Sequence, residues 1–210
     1  MKKSLFLLPL LAGLALCGCK DNPKDDPKDD PKGGDDFPGL TLDTDVLTEY
    51  TDGSGYAGLS GVDEIDGVTV SFTEVMVNQL NSASFPKWIT PDDEEVPVIQ
   101  FSKVDDGAGR EGGSISVTGK ISKLTCKLYS SYDWSGTGFP KVTFDGKTVK
   151  KPSKALATDD TEYQNEDKGG KVHDMFLYTF EYAVNAEEEG ELVIHNANSF
   201  ALYFNSFELE

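Results

Sequence analysis

The stretch Phe176-Leu177-Tyr178-Thr179-Phe180-Glu181-Tyr182-Ala183-Val184 decides the fold of this chain. Aromatic or β-branched side chains occupy every second position, and most of the residues between them are polar or small. An alternation of period 2 places one set of side chains on a single face of an extended strand. The stretch therefore predicts a long β-strand with one face in a hydrophobic core.

Shorter alternating stretches of the same kind lie on both sides of this strand. Between them, Asp145-Gly146 is typical of a two-residue hairpin turn, because both positions accept positive φ angles. Long connections are expected at 81–96, 103–113 and 150–172, and the best helical candidate, Val75 to Leu80, spans only about one and a half turns. Many short strands with turn residues between them predict an all-β, two-sheet antiparallel sandwich. The further strands are predicted at Val68–Phe72, Val98–Phe101, Ile115–Val117, Leu124–Leu128, Leu192–His195 and Phe200–Leu209.

Two segments carry a family resemblance. Gly113–Val117 followed by Ile121–Cys126, together with the closing Leu202–Leu209, resembles a recurring domain of Bacteroidota surface lipoproteins. These domains are similar to jelly-roll carbohydrate-binding modules of the galactose-binding type. The resemblance covers 67–210 and implies a jelly-roll-like sandwich that binds glycans.

The N-terminus has the pattern of an export signal. After the basic start at Lys2 and Lys3, the apolar run from Ser4 to Leu16 would span roughly 20 Å as a helix, too short for a hydrocarbon core of about 30 Å. The following Leu16-Cys17-Gly18-Cys19 resembles the lipobox of bacterial lipoproteins. This resemblance implies cleavage before Cys19 and lipidation of that cysteine. We therefore expect a signal peptide at 1–18, a tether at 19–38 and a β-sandwich domain at 39–210.

The tether repeats proline, lysine and two aspartates from Pro23 onward. Regular prolines and alternating charges favour an extended path with no core of its own. Lysine followed by acids soon after the lipidated cysteine resembles the surface-export signal of Bacteroidota lipoproteins, with Lys20-Asp21-Asn22 as an imperfect match. The expected location is the outer membrane, lipid-anchored and surface-exposed.

The net charge limits the classes of partner that the protein is expected to bind. The chain has 19 basic and 37 acidic side chains, a net charge of −18, and loss of Lys2 and Lys3 would make it −20. Such a charge repels nucleic-acid phosphates and anionic headgroups, so membrane attachment is expected through the lipid only. It also favours a soluble monomer. After processing, Cys126 would be the sole free cysteine, which leaves no intrachain disulfide.

Catalytic motifs are scarce, and we predict no enzyme. The only histidines are His173 and His195, neither in a metalloprotease motif, and His195 is expected to have a structural or surface role. Cys126 shares a strand face with Leu124 and Leu128, which predicts a buried apolar role for the thiol. Glycoside hydrolysis by an acid pair remains an alternative without nominated residues, since spacing in the sequence does not report the separation across a cleft.

Acidic turns are candidate calcium ligands. Asp63 and Asp66 lie before and in one predicted turn, and Asp105 and Asp106 in another. Carboxylate oxygens suit Ca²⁺, and the jelly-roll resemblance implies one structural calcium. The alternative is that these acids are solvated turn residues.

The loop from Tyr129 to Phe139 is the best candidate for binding. Tyr132 and Trp134 offer aromatic faces to a sugar, Asp133 accepts hydrogen bonds, and Trp88 supplies a second aromatic platform. We predict a non-enzymatic binding module for glycan or another extracellular ligand. Two alternatives stay open for the loop: Trp134 caps the end of the core, or the aromatic side chains anchor a protein partner in a structural or adhesion role.

Overall fold

The computed structural model describes residues 37–50, 56–78, 87–90, 92, 94–130, 138–152, 156–166 and 170–210. Within these ranges the chain is nearly all β, and every strand pair is antiparallel, so the predicted all-β antiparallel class is confirmed. One short helix, α1 (Thr44–Thr48), begins at Asp43, whose side chain accepts a hydrogen bond from the Val46 N–H. The strands in chain order are β1 (Leu40–Asp43), β2 (Tyr56–Ile65), β3 (Val68–Asn78), β4 (Lys87–Ile89), β5 (Val98–Phe101), β6 (Ser114–Gly119), β7 (Lys123–Ser130), β8 (Lys141–Phe144), β9 (Lys147–Thr148), β10 (Leu156–Glu166), β11 (Val172–Ala183), β12 (Gly190–His195) and β13 (Leu202–Leu209).

The predicted hairpin turn is present between β8 and β9. Asp145 and Gly146 have φ angles of 48° and 73°, and Phe144 pairs directly with Lys147. The Asp145 side chain also accepts a hydrogen bond from the Glu191 N–H, which ties the turn to β12. The Asp-Gly signal thus predicts both the position and the backbone conformation of the turn.

The best helical candidate in the sequence, Val75 to Leu80, is not helical over the part that the structure describes, because Val75–Asn78 continues β3. Glu74 has a φ of 50°, and both Phe72 and Val75 are buried. A residue in this left-handed conformation shifts the alternation by one position, as in a β-bulge. The phase change between Phe72 and Val75 therefore marks a bulge and not a helix start.

Strands also lie inside two of the predicted loops. β4 falls within 81–96 and β10 within 150–172, where β10 pairs with β4 on one side and β11 on the other. β4 is the first strand in the sheet order, so β10 is next to its edge. Strands at such positions need little apolar alternation, which explains why the polar sequence of β10 predicted a loop.

The strands form one hydrogen-bonded network, ordered β4-β10-β11-β7-β13-β5-β3-β6-β12-β8-β9, with β1 beside β13 and β2 beside β3. Strand β5 is the junction, since Phe101 pairs with Leu202 of β13 and with Val75 of β3. Beyond β5, β13 pairs with β1 and β3 pairs with β6. We call β1, β4, β7, β10, β11 and β13 the first arm, and β2, β3, β6, β8, β9 and β12 the second arm.

Both arms contribute to one hydrophobic core. Cys126 and Tyr182 from the first arm and Val70 and Leu192 from the second belong to the same buried cluster. The prediction that Cys126 is buried is confirmed, and desolvation raises the pKa of its thiol well above the usual value. A thiol in this state is a packing group and not a nucleophile.

Candidate functional site

Several strand ends meet where β5 stops and β6 starts. His195, at the end of β12, pairs with Ser114 of β6 and with Lys141 of β8, and Leu202 of β13 pairs with Phe101. Three connections therefore leave the sheet at neighbouring points. We call their described residues, 102–113, 138–140 and 196–201, the loop junction.

Asn196 holds the loop junction together from a fully buried position. Its Nδ2 donates to the carbonyl oxygens of Ser102 at 3.0 Å, Phe200 at 2.9 Å and Phe101 at 3.4 Å. Its Oδ1 accepts from the backbone N–H and the Nδ2 of Asn198, both at 3.0 Å. Because an amide side chain has two donor hydrogens and one acceptor oxygen, every polar atom of Asn196 is in use.

The same network reaches the third connection through Asn198. Its Nδ2 also donates to the carbonyl oxygen of Gly138 at 3.1 Å. Gly138 is the first described residue after 131–137, and Ser130, the last one before that segment, ends β7. The predicted loop from Tyr129 to Phe139 thus begins as the end of β7, and its described end at Gly138 is held in the loop junction.

Two glycines allow the backbones to approach closely here. A Cβ on Gly112 would lie 1.8 Å from the carbonyl oxygen of Asn196, and one on Gly113 would lie 2.7 Å from that of Glu74. Neither distance is compatible with a side chain. The Gly112-Gly113 pair in the sequence is therefore explained by packing against Asn196 and β3.

A tight turn projects from the first of these connections. The backbones of Asp105 and Arg110 exchange hydrogen bonds of 3.1 Å and 3.0 Å, which closes a turn over 106–109. The Asp105 side chain accepts a further hydrogen bond of 3.2 Å from the Ala108 N–H. The turn therefore has a defined shape even though residues 106–110 are exposed.

A cleft of about 370 Å³ opens between this turn and the end of β12. Its lining combines cationic, acidic, imidazole and apolar groups, so it offers both hydrogen-bond donors and acceptors beside an apolar wall. That combination is typical of a site for a small polar ligand. The lining residues are Val104, Asp106, Gly109, Arg110, Glu111, Gly112 and His195.

His195 faces this cleft as a partly buried imidazole. Desolvation lowers its pKa, Glu111 counteracts that effect, and the charge of Lys141 lowers the pKa further. A lowered pKa keeps the ring neutral at pH 7, so it has one donor and one acceptor nitrogen. His195 was expected to have only a structural or surface role, and the pairing of its strand with β6 and β8 is what places it in the cleft.

Of the four predicted ligand-binding residues, the structure describes only the backbone of one. Tyr132, Asp133 and Trp134 lie outside the described residues. The backbone of Trp88 lies in β4, paired with Asn165 of β10, and its side chain lies outside the described part of the chain. Their role in binding stays a prediction.

The predicted calcium ligands are on separate turns. Asp63 and Asp66 belong to the β2–β3 hairpin. The connection that carries the Asp105–Arg110 turn follows β5, and its Ser102 N–H donates to the carbonyl oxygen of Glu74, about 20 Å further along β3. Among the described residues, no three His, Cys, Asp or Glu side chains are grouped closely enough to hold a metal ion. The structure thus does not bring the two aspartate pairs together, and calcium binding by any of the four stays a prediction.

A tyrosine-rich cluster lies on the other face of the first arm. Tyr129, Met175 and Leu177 are buried there with Val98, next to Tyr163 and Tyr203. The rings of Tyr129 and Tyr163 meet edge to face at 5.0 Å, and Asn205 donates a hydrogen bond to the Tyr129 hydroxyl. Burial raises the pKa of Tyr129 to about 12. Leu177 and Tyr178 are consecutive apolar residues, and such a pair in a strand indicates that β11 is buried on both faces.

The predicted lipidation site, Cys19, and the whole tether lie outside the described residues. Within the described part of the chain, no helix has the length and apolar character needed to cross a bilayer. The lipid anchor stays a prediction.

Comparison with known proteins assigns no family to this chain. No protein-family model matches the sequence, and no curated protein is detectably similar to it.

Proposed function

We propose that this protein is a non-enzymatic, lipid-anchored surface protein whose β-domain binds a glycan or another extracellular ligand at the loop junction. One observation carries the proposal: the connection 102–113, which Asn196 and Asn198 tie to the other two connections, forms with the end of β12 a cleft that presents Arg110, Glu111 and His195. Sugars need a rigid surface with several hydrogen-bond donors and acceptors, and this cleft has both.

The aromatic loop supports the same location. Asn198 donates to the carbonyl oxygen of Gly138, so the described end of the loop that contains Trp134 is tied to the loop junction. In this proposal Tyr132 and Trp134 stack on sugar rings, Asp133 accepts hydrogen bonds from hydroxyl groups, and Trp88 adds a second platform. Hydroxyl-rich ligands need such polar groups beside their apolar contacts.

A jelly-roll-like, two-sheet sandwich is the proposed architecture behind this site. Phe139 and Pro140 precede β8 of the second arm, yet the Phe139 ring lies 4.9 Å from that of Phe180 in β11. The Tyr182 hydroxyl of β11 also donates to the Pro140 carbonyl oxygen at 2.6 Å. Strands far apart in the sheet order therefore touch across the core, as they do when two layers face each other.

The proposed anchor is a lipid on Cys19 in the outer membrane, with the acidic tether holding the domain away from the surface. Intact-mass measurement of the protein purified from its native cells tests this part. We expect a chain that starts at Cys19 and carries the added mass of acyl groups. An unmodified chain that still starts at Met1 would contradict it.

A glycan array probed with the full-length protein, with and without calcium, tests the binding function. Trp134→Ala is expected to lose retention on the array while the melting temperature stays unchanged. If the variant binds normally and melts earlier, Trp134 is a core residue and the proposed ligand role is wrong.

A protein partner is the second candidate function, favoured by Phe200. Its side chain is 50% exposed, although its carbonyl oxygen is fixed by Asn196. An exposed aromatic ring on a backbone that is held in place is a typical anchor of a protein interface. Crosslinking on intact cells followed by co-purification is expected to recover a partner with the native protein and lose it with Phe200→Ala.

A further inference from the structure

Arg110 is the only arginine in the chain, and the other 18 basic residues are lysines. Lysine therefore serves as the general surface cation of this protein. Arginine differs by its planar, forked guanidinium, which forms two parallel hydrogen bonds with a carboxylate. The position of the single arginine in the cleft points to a task that lysine performs poorly.

The backbone of Arg110 is held in place before any ligand arrives. Its N–H donates to the Asp105 carbonyl oxygen, and its own carbonyl oxygen accepts from the Asp105 N–H. Ser102 and Gly113, at either end of this connection, are tied to each other by a hydrogen bond of 2.8 Å. A guanidinium on such a support loses less conformational entropy on binding than one on a loose loop.

The guanidinium of Arg110 has no ion-pair partner among the described residues. Within the part of the chain that the structure describes, the ion pairs join lysines to glutamates, and the Arg110 side chain takes part in none of them. Asp106 and Glu111 line the same cleft without pairing to it. An arginine that forms no ion pair with any described residue is unusual in a protein of net charge −18, because carboxylates are abundant.

The side chains beside Arg110 in the cleft are suited to bind the hydroxyl groups of a sugar. Glu111 accepts hydrogen bonds from hydroxyl groups, and the neutral His195 both donates and accepts. The acidic side chains would repel a ligand that is anionic throughout. They tolerate one in which a single carboxylate meets Arg110 while hydroxyl groups face Glu111 and His195.

We propose that the cleft binds an acidic oligosaccharide, with the carboxylate of a uronic acid residue held by the guanidinium of Arg110. The inference rests on the proposed glycan-binding function and adds the chemical class of the ligand. The sugar carboxylate and the guanidinium form a charge-assisted, two-pronged pair, and Glu111 and His195 bind the adjacent hydroxyl groups.

Calorimetric titration of the full-length protein with a galactose trisaccharide in which one residue is galacturonic acid, and with the neutral galactose trisaccharide, tests the inference. The acidic trisaccharide is expected to bind at least about tenfold more tightly, as for a hydrogen-bonded charge pair. Arg110→Gln is expected to remove this preference, and Arg110→Lys to remove most of it, because an ammonium group lacks the fork. Lys103→Gln is the matched control: it removes one positive charge from an exposed residue of the same connection and is expected to leave the preference intact.

Three results would overturn the inference. If the neutral trisaccharide binds as tightly as the acidic one, the carboxylate is not recognised, although glycan binding itself stands. If Lys103→Gln weakens binding as much as Arg110→Gln, the effect is general electrostatics. If neither trisaccharide binds and the glycan array is also blank, the inference and the proposed function fail together.

Discussion

Replacing Asn196 by alanine is the sharpest test of how the loop junction is built. The substitution removes the donors to the carbonyl oxygens of Ser102 and Phe200 and the acceptor for Asn198. The site is fully buried, so water cannot replace these bonds without entering the structure. Asn198 Nδ2 keeps its bond to Gly138, so three bonds are counted: the two that Asn196 donates to Ser102 and Phe200 and the one from the Asn198 N–H. At about 1 kcal/mol for each, the expected loss in free energy of unfolding is about 3 kcal/mol.

Urea denaturation followed by tryptophan fluorescence and by far-UV circular dichroism measures this loss. With an m-value of about 2 kcal/mol/M, the midpoint is expected to fall by about 1.5 M. Asn205→Ala is the matched control, since Asn205 is half-buried and has a single hydrogen bond of 3.2 Å, to the Tyr129 hydroxyl. Its expected cost is about 1 kcal/mol or less.

The comparison between the two variants tests whether the hydrogen bonds of Asn196 hold the three connections together. If Asn196→Ala costs no more than Asn205→Ala, the bonds of Asn196 do not hold the three connections, and the rigid cleft loses its physical basis. If the cost is as expected, the variant is also predicted to weaken ligand binding, although Asn196 itself does not line the cleft.

Three further predictions concern buried groups in the first arm. Tyr182→Phe leaves the carbonyl oxygen of Pro140 without its donor and is expected to lower the unfolding free energy by about 1–2 kcal/mol in urea titrations; no change would show that this bond does not join the arms. Burial raises the pKa of Tyr129 to about 12 against about 10 in an unfolded chain, so its contribution to stability is complete below pH 10 and is lost as pH rises towards 12. In a plot of unfolding free energy against pH, Tyr129→Phe is expected to flatten the decline above about pH 10. An unaltered decline would contradict this. Cys126 is expected to react with a thiol reagent at the rate of global unfolding, since it is fully buried; fast labelling of the native protein would refute its place in the core.

Strands with regular alternation were predictable from the sequence because their side chains report burial directly. Phe176–Val184, the Asp145-Gly146 turn and the burial of Cys126 all depend on near neighbours in the chain. The path of β3 was not predictable in the same way, since the bulge at Glu74 breaks the alternation at Val75. β10 was missed because its position beside the edge strand relaxes the demand for apolar residues.

The candidate site was harder to predict than the strands. The partners of Asn196 lie up to 95 residues away in the chain, and no spacing rule connects them. Arg110 carried one signal, as the only arginine among 19 basic residues, but composition alone does not tell where a residue lies. The placement of His195 depends on strand pairing, which brings β12 between β6 and β8.

The central claim is that ligand binding takes place at the loop junction, and nuclear magnetic resonance mapping tests it most directly. A galactose trisaccharide in which one residue is galacturonic acid, and the neutral galactose trisaccharide, would each be titrated into isotope-labelled full-length protein while backbone amide shifts are followed. The predicted result is a saturable set of changes at Arg110, Glu111 and residues 195–200, with the turns at Asp66-Gly67 and Asp145-Gly146 unchanged. Saturable changes centred on those two turns, or no change with either sugar at millimolar concentration, would contradict the account.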